Sequence, residues 1–87
     1  MKIKEIKDIV RKDVPIYYKM FYKGIIVIDL MNKVQEIPLE WIIEVKPTGM
    51  LDITVTLNGQ IEYPLVPLIK EIKAFISELH FSRKLPL

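Results

Sequence analysis

"EIPLEWIIEVK", residues 36–46, is the stretch on which the fold turns. Read as a strand, it places Ile37, Leu39, Trp41, Ile43 and Val45 on one face. Glu36, Pro38, Glu40, Ile42, Glu44 and Lys46 then occupy the other, because side chains alternate along a strand. Read as a helix, it stacks Glu36, Glu40 and Glu44 four residues apart, where like charges repel. The strand avoids that repulsion, with a short turn admitted around Pro38-Leu39. One apolar face on a strand of this length calls for a sheet with something packed on it.

Outward from this strand, turn residues divide the neighbouring sequence. Lys23-Gly24, Asn32-Lys33, Pro47-Thr48-Gly49 and Asn58-Gly59 separate β-rich runs. Connections this short join antiparallel strands, since parallel ones need a long crossover. At Asn58-Gly59 a three-residue loop, Asn58-Gly59-Gln60, pairs Leu57 with Ile61 and Val55 with Tyr63. It is preferred to a two-residue turn that would mix apolar and polar partners on one face.

Helices are predicted at both ends. Ile3, Ile6, Ile9 and Val10 recur at helical spacing, and Asp8 precedes Lys12 by four. Pro15 ends that segment by pushing Val14 out of the α region. Near the C-terminus, Leu65, Leu68, Ile69, Ile72, Phe75, Ile76 and Leu79 form an apolar stripe. Lys70, Glu71, Lys73, Ser77 and Glu78 face away from it, and Pro67 suits the first turn. The expected fold class is α+β: an N-terminal helix, an antiparallel meander of about five strands and a C-terminal amphipathic helix. Both helices are expected on one sheet face.

Eighty-seven residues make a single domain, 1–87. Yet 51% of the chain is hydrophobic and its mean hydropathy is +0.24, more apolar surface than one small core hides. A homodimer is the simplest second burial surface, with another protein as a further partner. The N-terminal "MKIKEIKDIVRKD" lacks the apolar core of a signal peptide, and no run is long enough to cross a bilayer. No membrane association is expected, and the expected location is cytoplasmic.

The absence of cysteine removes thiol nucleophiles, disulfides and thiolate metal sites. The single histidine, His80, cannot supply the two or more ligands of a usual zinc site, and three glycines form no phosphate-cradling loop. Glu36, Glu40 and Glu44 read as a solvated acidic row rather than a cation site. The expectation is therefore no enzyme, no cofactor and no metal.

Charge is uneven along the chain. Residues 1–23 carry seven Lys/Arg against three Asp/Glu, residues 24–68 two against six, and residues 69–87 four against two. The basic ends suggest one candidate nucleic-acid surface: Lys2, Lys4, Lys7, Arg11, Lys12, Arg83 and Lys84. The acidic middle disfavours nucleic acid as a partner.

"IPLEWIIEV", "LDITVTLNG" and "LIKEIKAFISEL" together resemble the core of LytTR-type DNA-binding domains, over about residues 37–79. The same order of features is similar to the small flagellar-associated SwrD/FlbD proteins. The LytTR resemblance implies a DNA-binding regulatory domain as the alternative function. LytTR domains continue past the helix into a further strand, where this sequence has "HFSRKLPL".

The run "PIYYKMFYKGIIVID", residues 15–29, carries the leading functional expectation. A turn at Lys23-Gly24 would set Tyr18, Met20 and Tyr22 on one face with Ile25 and Val27. Aromatics and methionine beside aliphatics suit a protein interface. A single-strand nucleic-acid platform would interleave aromatics with Lys/Arg instead. The chain is thus read as a small non-enzymatic interaction module, homodimeric through Tyr18, Met20, Tyr22, Ile25 and Val27.

Overall fold

The N-terminal isoleucines build a strand, and this corrects the expected fold. The computed structural model describes residues 1–86. It contains β1 (Lys2–Lys12), β2 (Lys19–Leu30), β3 (Lys33–Val45), β4 (Leu51–Leu57) and α1 (Leu65–Phe81). The four strands form one antiparallel sheet in the order β1-β2-β3-β4. Among the described residues there is no N-terminal helix, there are four strands rather than about five, and one helix rather than two lies on the sheet.

β1 imitates a helix because it is bulged twice. Its register against β2 slips between Ile3 and Glu5 and again between Lys7 and Val10. Each slip inserts an extra residue into a period-two strand, so apolar side chains that serve the core recur every third position. Ile3, Ile6 and Ile9 all reach the core at that spacing, which also matches one face of a helix. Asp8 lies in the second bulge with φ of 54°, a left-handed conformation that a helix interior would exclude.

The expected Lys23-Gly24 turn does not form, and β2 runs straight through it. Gly24 serves a close approach instead. A Cβ there would lie 3.1 Å from the Lys7 carbonyl oxygen and 3.2 Å from Ile6 Cγ2. Glycine lets the bulged edge strand settle against β2.

The expected strand after Asn58-Gly59 is also absent. Asn58 N–H donates to the Pro38 carbonyl at 2.9 Å, and beyond it residues 58–64 leave the sheet. Ile61 and Tyr63 pack on the core from this irregular connection, not from a ladder. Pro64 then leads directly into α1, so no length remains for a paired strand.

Residues 36–46 behave as the alternation requires. Ile37, Leu39, Trp41 and Ile43 are buried, and Leu39, Trp41 and Ile43 pair with Leu57, Val55 and Ile53 of β4. Ile26 and Ile28 of β2 join them, and Leu68, Ile72 and Ile76 of α1 close the layer. Burying each such side chain contributes about 1.5–3 kcal/mol. Leu65, expected in the stripe, is exposed at the first helical turn.

The β2–β3 hairpin closes through Met31-Asn32, one residue before the expected turn. Both have positive φ, 52° and 63°, as a two-residue type I′ turn demands. At its other end α1 finishes in a tight turn. Arg83 takes φ of 56°, Arg83 N–H bonds the His80 carbonyl at 3.1 Å, and Lys84 N–H bonds the Leu79 carbonyl at 3.0 Å. That turn sends residues 84–86 back towards the sheet. No helix among the described residues is long and apolar enough to cross a membrane.

Candidate interaction surfaces

With one helix among the described residues, only one sheet face is covered. The outer face alternates with the core face along every strand. Its central row, from β2, holds Phe21, Lys23, Ile25, Val27 and Asp29. Register places Lys2, Glu5, Lys7, Val10 and Lys12 of β1 on one side and Val34, Glu36, Pro38, Glu40 and Ile42 of β3 on the other. The outer face is thus a mostly apolar row between a mainly basic and a mainly acidic one.

Two ion pairs arch over that central row. Lys7 Nζ meets Glu36 Oε1 at 2.7 Å, and Lys12 Nζ meets Glu40 Oε1, although β1 and β3 are not neighbours. To span β2, the lysine stems must lie along its apolar side chains, which accounts for Val27 being only 7% exposed. The hydrogen bond to Glu36 raises the Lys7 ammonium above the usual lysine value, against the opposing effect of burial. The Lys12 hydrogen bond and charge hold the Glu40 carboxyl below the usual glutamate value. Both pairs are solvent-exposed and act on geometry more than on net stability.

The five residues expected to share one interface are divided. Ile25 and Val27 lie on the outer face. Met20 and Tyr22 lie on the core face, since β2 is continuous. Tyr22 is 3% exposed, stacks on Trp41, and its hydroxyl donates to the Pro86 carbonyl at 3.1 Å. Burial pushes its phenol above the usual tyrosine value, with Arg11 pulling the other way. Tyr18 precedes β2, half-exposed, its ring edge-on to Tyr17 at 5.7 Å.

The seven basic candidates do not form one stripe. Lys7 and Lys12 are engaged by glutamates on the outer face. Lys2 and Lys84 line a groove of about 600 Å³ between the start of β1 and α1, where Glu71 and Glu78 also stand. Arg11 and Arg83 border a separate cleft of about 430 Å³ with Tyr22 and His80. Lys4 is exposed at the first bulge. A duplex would meet these groups in several separate places, three of them beside carboxylates.

A different grouping emerges at the end of the sheet bearing the β1–β2 loop and the β3–β4 turn. Val45 N–H donates to the Tyr18 carbonyl at 3.0 Å, and Lys46 N–H to the Met50 carbonyl at 2.9 Å. These bonds gather Tyr17, Tyr18, Val45 and Met50 at one end, all exposed, Tyr17 at 96% and Met50 at 69%. Sequence reasoning singled out Tyr18 here but missed Val45 and Met50. The only signal for them was the Pro47-Thr48-Gly49 turn, which brings residues 45 and 50 together.

Residues 1–81 match a single family model, which spans all five elements of the fold from β1 to the last residue of α1. The chain belongs to the BB-0187 family. No curated protein and no solved structure matches the chain. What this family member offers for function is therefore its surfaces. Among its described residues, no group of three or more His, Asp or Glu side chains is placed to hold a metal ion.

Proposed function

We propose that this chain is a small, non-enzymatic protein-interaction module that works as a homodimer in the cytoplasm. The observation that carries the reading is the exposed group Tyr17, Tyr18, Val45 and Met50 at one end of the sheet. Tyrosine and methionine are enriched at protein interfaces, and exposed apolar groups of this kind mark contact surfaces. A four-stranded sheet under one helix leaves these residues without a covering element of their own among the described residues.

The test is the solution mass by light scattering, repeated with a DNA duplex at low salt. A dimer indifferent to DNA is the expected result. A monomer at every concentration contradicts the homodimer. A duplex complex that dissolves as salt rises would replace the reading with the LytTR-like alternative.

A further inference from the structure

The two edges of the sheet are built differently. β1, at one edge, carries Lys2, Lys4, Lys7, Arg11 and Lys12 and is bulged twice. Charges and bulges are the usual devices that stop an edge strand from pairing with another chain. β4, at the other edge, reads "LDITVTL": unbulged, without Lys, Arg, Pro or Gly.

The backbone of β4 presents an ordered row of free groups. Lys46 N–H bonds the Met50 carbonyl, and Asn58 N–H bonds the Pro38 carbonyl, so even-numbered positions turn their backbone towards β3. Antiparallel alternation then turns the N–H and C=O groups of Leu51, Ile53, Val55 and Leu57 outward. Among the described residues, β3 is the only strand that pairs with β4, and no hydrogen bond reaches those outward groups.

We infer that the second copy of this chain adds at the free edge of β4, pairing β4 with β4 in antiparallel fashion about a two-fold axis at Thr54. The inference rests on the homodimer reading and names its contact. Centring on Thr54 uses the whole strand. On the core face Ile53 of one copy meets Val55 of the other, and Leu51 meets Leu57. On the outer face Thr54 meets Thr54 and Asp52 meets Thr56, so the only charge in the strand never faces its own copy. β-branched and Thr–Thr pairs are favourable cross-strand neighbours. A register centred on Asp52 would oppose two carboxylates and is excluded by the same rule. Each copy contributes the same patch, as a closed two-fold contact requires.

The test uses the full chain and three variants, with far-UV circular dichroism and Trp41 fluorescence as checks on folding. Val55→Pro removes an outward N–H without touching the bonds to β3. Thr54→Lys, at an exposed outer-face position, sets two ammonium groups against each other at the axis. Both are expected to halve the mass measured by light scattering, and Thr54→Lys serves as the readout if Val55→Pro unfolds. The chain has no cysteine of its own. Thr54 would form a non-hydrogen-bonded pair with Cα atoms about 4.5 Å apart, so Thr54→Cys should give a covalent dimer on oxidation. A wild-type dimer that survives in the folded Thr54→Lys variant overturns edge pairing and leaves the homodimer standing. A wild-type monomer overturns both.

Discussion

The Tyr22 and Trp41 rings stack with centroids 5.5 Å apart and an interplanar angle of 18°. The two residues are opposite each other in the β2–β3 register, on the face that α1 covers. The Tyr22 hydroxyl donates to the Pro86 carbonyl, so the pair also ties down the chain after the helix. Trp41 Nε1 is buried without a hydrogen-bond partner among the described residues, which the packing of the ring must offset.

Two substitutions separate these roles. Tyr22→Ala should cost about 3–5 kcal/mol of unfolding free energy through the lost ring. Tyr22→Phe keeps the stack and should cost only about 1 kcal/mol, from the unmade bond to Pro86. Urea unfolding followed by the fluorescence of the single tryptophan reads both, and equal losses would contradict the separation.

Gly24→Ala should destabilise the fold by about 1–3 kcal/mol, because the new methyl meets the Lys7 carbonyl and Ile6 in a close-packed spot. Thermal unfolding would show it. An unchanged melting temperature would mean that the β1 bulge yields freely.

Met31→Gly should stabilise the protein by up to about 1 kcal/mol. Met31 is exposed and held at φ of 52°, where a side chain costs about 1–2 kcal/mol that glycine avoids. Greater freedom of glycine in the unfolded chain offsets part of that gain. Loss of stability in urea would show that the methionine has a role beyond the turn.

The ion pair of Lys12 with Glu40 sets a pH dependence. Glu40 has a lowered folded-state pKa, so its contribution is present above the usual glutamate value and is lost as pH falls through the depressed one. An NMR titration of the Glu40 carboxyl should show the low value in the wild type. Lys12→Ala should return it towards the ordinary range, and no movement would mean the pair is not made in solution.

Alternation was a reliable guide wherever a strand was regular. Ile37, Leu39, Trp41 and Ile43 announced their buried face, and Leu68, Ile72 and Ile76 announced the helix stripe. It failed where a strand was irregular, since the bulges of β1 convert a period of two into a spacing of three. Gly24 was misread for a related reason: glycine marks both turns and close approaches, and only the neighbouring strand distinguishes them. The division of Tyr18, Met20, Tyr22, Ile25 and Val27 between faces follows from that single residue. The contrast between the β1 and β4 edges was present in the residues of both strands. It acquired meaning only once β1 was known to be a strand at all.

Amide hydrogen exchange along β4 tests the central claim most directly. Thr54 and Thr56 turn their amides towards β3 and serve as references within the same strand. If two copies join edge to edge, Ile53 and Val55 should be protected like those references at high protein concentration and lose that protection on dilution. Rapid exchange of Ile53 and Val55 at every concentration, beside protected Thr54 and Thr56, would show a solvent-facing edge and contradict the dimer proposed here.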